Sequence, residues 1–434
     1  MNESAQTPWN PAFDEKRRQE VVAGDSAFVR AEREKVFEQY KTAPAPHGRI
    51  EEWRRTDPAG FSLDALDYCP RIEQVPGSRV TEPWMSAFDA VVTIRDTEWT
   101  VQDLSGALGK GLFRLESLRE AGDPGFDLLQ EAVTMGLASV APHKLALLGR
   151  AFWNIGVRVA IPDGAELEKG VLIRYAPRKT GTLLLPRVVV SAGRRSRASV
   201  FEQISSPDEG DLLLAASRDL FVGEGGQLRF ITLQNLGAGA RYLADDRARV
   251  ERDGRLHWIG LNFGARLGKM NFSGNVAGPG ASVELDGLFF ASGRQHLDQR
   301  TLQIHSAPNT TSNLLYKGAV RDTARSVYQG LIIARPGAVQ VDAYQKNNNL
   351  VLNEGARADS LPGLEIDTDD LKCSHGSTIG NLDEELVYYL RSRGLDEAQA
   401  RRTLLKGFFE EIAARIPWAY GREQVEQHVE QKIG

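Results

Sequence analysis

The residues with the most chemical potential lie near the end of the chain, in Asp369-Asp370-Leu371-Lys372-Cys373-Ser374-His375-Gly376. In a β-strand side chains alternate between faces, so Cys373 and His375 point the same way with Cα atoms about 6.6 Å apart. Thiolate and imidazole are both ligands for iron or zinc, and this spacing lets them approach one ion. Two ligands leave the coordination sphere half empty, so a second chain would have to supply the rest. The same residues also admit two other readings: a buried thiol beside a hydrogen-bonded surface histidine, or a nucleophilic Cys and His dyad. For the dyad, no orienting third residue or oxyanion hole is recognisable.

Other chemically suggestive residues lead nowhere. His296 and His305 lie near Asp298, but positions nine apart in a strand fall on opposite faces and fit no single-face metal pattern. Gly106-Ala107-Leu108-Gly109-Lys110-Gly111 lacks the spacing of a Walker loop and the Ser or Thr after its lysine. Gly223-Glu224-Gly225-Gly226 starts like a dinucleotide fingerprint but runs straight into a strand-like segment. The sequence therefore offers no ATP or NAD site, and any ATP-driven step needs another subunit.

These candidates must be positioned by a chain of 434 residues with 41% hydrophobic and 26% charged residues, a soluble, folded composition with room for two or three domains. Its net charge of -5 gives no bulk reason to bind nucleic acid or anionic lipid. Two cysteines, Cys69 and Cys373, exclude a disulfide framework and a self-contained four-cysteine site. The first residues lack the apolar core of a secretory signal, and no run approaches a membrane span, so a cytoplasmic protein is expected.

Residues 1–150 read as a helical and α+β domain. Asp25-Ser26 can cap a helix carrying Phe28, Val29, Val36, Phe37 and Tyr40, the prolines of 42–48 break it, Ala90–Ile94 is β-like and Phe126–Leu137 helix-like. Residues 151–381 change to short apolar runs between turns. Markers at Gly226, Gly254, Gly280, Pro308-Asn309 and Gly337 recur every 26 to 29 residues, interleaved with Gly239, Gly268, Gly293 and Asp322-Thr323. Stacked coils of a parallel β-helix produce this pattern, and so does an antiparallel meander with a turn every ~13 residues. Residues 382–434 return to helical periodicity. Asp383 caps one helix ending at Gly394, and Asp396 caps a second reaching about Ile416. The second presents an apolar stripe of Leu404, Leu405, Phe408, Phe409, Ile412 and Ile416, which either packs on the β body or meets a partner.

Several segments together resemble the SufB/SufD family of iron–sulfur cluster assembly proteins, most closely its SufD branch. They are Trp53-Arg54-Arg55-Thr56-Asp57-Pro58, His296-Leu297-Asp298-Gln299-Arg300-Thr301, Asn347-Asn348-Asn349-Leu350 and Leu371 through Gly380, with Asp383-Glu384-Glu385 and Tyr389 through Gly394 following. The resemblance implies a mainly β fold, a right-handed parallel β-helix flanked by an N-terminal α+β/helical domain and a C-terminal helical domain. It implies a non-enzymatic scaffold working with a SufB-like paralogue and a SufC-like ATPase, and a transient iron–sulfur cluster at the subunit interface. His375, and less firmly Cys373, are then the ligands offered by this chain, and Leu404, Leu405, Phe408, Phe409 and Ile412 are candidates for docking the ATPase. Reduced flavin is linked to the family's complex, although no flavin motif is visible. The isolated chain would be free to form a homodimer. The competing expectation is a β-helix enzyme acting on polysaccharide through paired carboxylates, for which Asp298 has no evident mate.

Overall fold

The computed structural model describes residues 13–76, 82–120 and 143–433, so the helix-like run 126–137 lies outside the described residues. Its body is a parallel β-helix of about 10 turns, formed by two 11-stranded sheets. Successive strands alternate between the sheets. One sheet proceeds from Ile155–Ile161 through Leu212–Val222 and His296–His305 to Arg357–Ile366, the other from Val171–Tyr175 through Arg255–Asn262 to Leu371–Gly380. Pairing between rungs is parallel, for example Leu228 with Leu256 and Leu256 with Val283, which rules out the meander. Shorter N-terminal strands extend both sheets, Ala90–Arg95 pairing with Val171–Tyr175 and Arg114–Ser117 running antiparallel to Ile155–Ile161.

The turn spacing is explained by residues that tolerate a left-handed backbone. Gly280 and Gly337 have φ of 75° and 83°, and Asn309 and Asp322 reach 59° and 62° without being glycine. Gly268 differs from expectation, because it lies within the strand Leu267–Val276, where an added Cβ would come within 2.9 Å of Leu297.

Three apolar regions hold the molecule together. The lumen is filled by stacked inward side chains such as Val200, Phe230, Trp258, Leu285 and Leu314. The outer face of the first sheet packs against α1 (Glu15–Val22), α2 (Ala27–Thr42) and α3 (Lys144–Ala151), with Phe37, Tyr40 and Phe152 at the contact. Ser26 caps α2 by accepting from the Val29 amide. The outer face of the second sheet is covered by α5 (Glu397–Ala413) and α6 (Ala419–Ile433), which follow α4 (Glu384–Ser392). Asp383 and Asp396 cap α4 and α5 as expected, the latter in a capping box with Gln399. Helix α6 was not foreseen beyond Pro417; Val425 and Val429 bury its inner face. No described helix is long and apolar enough to cross a membrane.

Polar groups also enter the lumen. His305 lies 2.8 Å from both Thr310 Oγ1 and Ser312 Oγ, and burial lowers its pKa to about 4. Its folded pKa is thus below the unfolded value of about 6.5, so the stabilisation is present above pH 6.5 and is lost as pH falls toward 4. Wild type should lose up to ~3 kcal/mol more than His305→Gln over that window, read from denaturant midpoints at each pH. Parallel pH profiles for the two proteins would contradict this.

Candidate functional site

Cys373 and His375 lie on Leu371–Gly380, the last rung of the second sheet, whose outer edge no described strand pairs. The inward column beneath Cys373 runs through Ala343, Ser312 and Val283, and the column beneath His375 through Gln345, Leu314 and Leu285. Both candidate ligands therefore point along the lumen at its open end, on one face of one strand. His375 is exposed and makes no hydrogen bond to a described residue, leaving its ring nitrogens free. Cys373 is half-buried, and burial pushes its thiol pKa up, so it is not the activated thiolate that a Cys and His hydrolase needs.

Directly under this rung the lumen changes character. Gln345, Asn347 and Asn349 form a run of amides buried beneath His375, Ser377 and Ile379. Asn349 Nδ2 donates to Asn347 Oδ1 at 2.6 Å, and Ser377 Oγ donates to Ser360 Oγ across the lumen at 2.8 Å. Gln345 Oε1, Asn347 Nδ2 and Asn349 Oδ1 are left without a partner. The end of the helix is thus polar inside and open outside. Around it Leu364, Ile366 and Ile379 are 39%, 40% and 49% exposed because no further rung covers them. The strand Arg357–Ile366 likewise ends the first sheet.

Cys69 cannot contribute here. It follows the strand Asp67–Tyr68, which pairs with Thr182–Leu184 on the early rungs, roughly 30 Å of stacking away from the last one. His296 and His305 occupy opposite faces of their strand, as expected: His305 is in the lumen and His296 Nε2 lies 2.9 Å from Thr56 Oγ1. Asp298 is committed to Lys269 at 3.0 Å and to Thr56, a structural use that leaves no free glycosidase carboxylate pair there. The two motifs Trp53–Pro58 and His296–Thr301 therefore touch. Glu52 adds to the clamp through Arg300 at 3.2 Å and Asn271 at 3.0 Å.

The apolar stripe of α5 divides. Leu405, Phe409 and Ile412 are buried against the second sheet and α6, while Leu404 and Phe408 are half-buried. The first three hold the helix to its own chain and cannot meet a partner without its displacement. Phe409→Ala should accordingly cost about 3–5 kcal/mol of stability, measured by denaturant unfolding; a cost below ~1 kcal/mol would contradict the packing. The side chains left open are instead on α4, where Leu386, Tyr388 and Tyr389 are 47%, 74% and 52% exposed.

One constellation escaped the sequence reading. His257, Glu284 and Asp286 bring potential metal-ligand atoms within 4.8 Å of one another. His257 Nε2 lies 2.7 Å from Asp286 Oδ2, but Arg415 after α5 reaches Glu284 at 2.8 Å and Asp286 at 2.9 Å. The guanidinium already engages both carboxylates, so the cluster latches the end of α5 to the β-helix. The coil period carried the signal, because Glu284 is the rung neighbour of His257.

Comparison with known proteins gives the family. A family model described as the SufBD core domain of SUF-system FeS cluster assembly matches residues 175–408. An iron–sulfur cluster assembly SufBD family protein of Mycobacterium leprae is 39% identical over 200 residues, 44% of this chain and 51% of that protein. A counterpart in Mycobacterium tuberculosis is 36% identical over 223 residues, 50% of this chain and 56% of that protein. The iron–sulfur cluster assembly protein SufD of Bacillus subtilis is 26% identical over 311 residues, 71% of each chain. The chain spans about half the length of the mycobacterial relatives it matches. With more than half of its residues matched, a parallel β-helix body and Cys373 and His375 on the open last rung, the chain belongs to the SufBD family of SUF-system iron–sulfur cluster assembly proteins.

Proposed function

We propose that this chain is a scaffold subunit on which an iron–sulfur cluster is assembled as cargo, with His375 and Cys373 donated to an interface completed by a SufB-like paralogue. The observation that carries the reading is the open end of the β-helix. Two ten-residue strands present unpaired edges there, exposed apolar side chains surround them, and edges of this kind invite pairing with another chain. An exposed, unpartnered imidazole on that edge is a ligand waiting for a second set of donors. ATP hydrolysis belongs to a separate SufC-like subunit, whose binding acts by favouring one arrangement of the complex over another.

For docking that subunit we favour Leu386, Tyr388 and Tyr389 of α4 over the buried part of the α5 stripe, with Leu404 and Phe408 as flanking candidates. Exposed aromatic residues anchor interfaces at low entropic cost. Tyr388→Ser with Tyr389→Ser should leave the fold unchanged and abolish co-purification of the ATPase; retention of the ATPase by the double variant would place the contact elsewhere. Reduced flavin is implied by the family resemblance alone, and no described residue is assigned to it.

The test of the reading is anaerobic co-expression with the SufB-like and SufC-like proteins of the same organism. The expected result is one complex containing all three, and the loss of the SufB-like protein when Ile379 is replaced by Lys at the open edge. A chain that purifies alone under these conditions would overturn the reading.

A further inference from the structure

Beside the C-terminal helices, a groove of about 810 Å³ crosses the outer face of the second sheet. Its arginines lie four to six rungs, roughly 19 to 29 Å, from Cys373 and His375, and its occupancy is independent of the cluster reading. Its floor carries Arg197 and Arg255 in one outward row and Arg229 in the next, on the rung between them.

The charges of these arginines are poorly matched within the chain. The exposed side chain of Arg255 makes no ion pair or hydrogen bond with any described residue. Arg229 is half-buried, and its side chain donates to His257 Nδ1 at 3.4 Å. Arg197 has only an exposed pair with Glu166 at 3.4 Å. Burial lowers the pKa of Arg229, and the nearby Glu284 carboxylate only partly offsets this. At the other end Glu284 and Asp286 share the single cation Arg415 and keep net negative charge, so an anion belongs at the Arg197, Arg229 and Arg255 end. The hydroxyls of Ser199 and Ser282 face the same space and have no hydrogen-bond partner among the described residues.

Rungs about 4.8 Å apart separate the Arg197 and Arg255 backbones by ~10 Å, with Arg229 diagonal to both. A guanidinium fork matches two oxygens of one phosphoryl group, so Arg229 and Arg255 suit one phosphate and Arg197 a second one linked to it. We propose that this groove binds a diphosphate group, either free or carried by a nucleoside diphosphate.

The test is calorimetric titration of the full chain with inorganic pyrophosphate, orthophosphate and ADP at ~150 mM salt. Saturable one-site binding of pyrophosphate, tighter than orthophosphate, is expected. Arg229→Gln and Arg255→Gln should each weaken it about ten- to a hundredfold, Arg229→Lys should weaken it less, and the distant Arg391→Gln should not change it. Melting temperatures equal to wild type would tie the losses to the groove rather than to folding. ADP binding tighter than pyrophosphate assigns the site to a nucleotide; equal binding assigns it to the free diphosphate. Non-saturable binding, or binding unaffected by both Arg229→Gln and Arg255→Gln, would overturn the proposal whatever the outcome for cluster assembly.

Discussion

His375→Ala should leave the complex assembled and cut its cluster content at least about tenfold, since loss of a ligand costs no less than loss of the groups that merely orient one. The folding side of this expectation follows from exposure: His375 makes no hydrogen bond to a described residue and fills no core space. Substitutions at such positions usually stay within ±0.5 kcal/mol. Cluster absorbance in the anaerobically purified complex reads the effect. Cys373→Ser should fall less, because the thiol is half-buried and burial raises its pKa, which opposes the thiolate that binds iron. Cluster content unchanged in His375→Ala would remove this residue from the ligand set.

The second large effect is on stability and arises in the lumen. Arg218 is fully buried there, contacting Glu202, Asp246 Oδ1 at 2.7 Å and Tyr242 Oη at 2.9 Å. Burial pushes the carboxyl pKa values of Glu202 and Asp246 up, against the pull of Arg218. Arg218→Met removes the cation both acids depend on and should destabilise by about 3–5 kcal/mol, visible as a lower denaturant midpoint. Adding Glu202→Leu and Asp246→Leu should recover most of that loss, because the unpaired charges disappear with the pair. A midpoint for Arg218→Met equal to wild type would show that the acids are already neutral without it.

What the sequence disclosed follows the range of the interactions involved. Caps at Ser26, Asp383 and Asp396 are local, made within three residues, and were legible. The turn rhythm was legible too, yet it fitted a meander equally well. Parallel pairing is a contact between residues nearly thirty positions apart, and only the family resemblance selected it. The shared face of Cys373 and His375 follows from strand alternation alone. Their position on an unpaired last rung does not, nor do the buried amides beneath, because these depend on where the stacking stops. The α5 stripe was recognisable as apolar, but whether Phe409 meets its own sheet or another chain is a tertiary fact. His257 and Glu284 stayed hidden because their proximity crosses two rungs, although the period already observed would have paired them. The contact between the Trp53 and His296 motifs spans 240 residues and left no local trace.

This chain is proposed to supply part of a cluster site that only an interface completes. The most direct measurement is anaerobic reconstitution with iron and sulfide, comparing the chain alone with the same chain co-purified with its SufB-like and SufC-like partners, and counting iron and acid-labile sulfide per complex. The expected result is a stable cluster in the complex and none retained by the isolated chain after desalting. A cluster bound stoichiometrically by the isolated chain and indifferent to His375→Ala would contradict it.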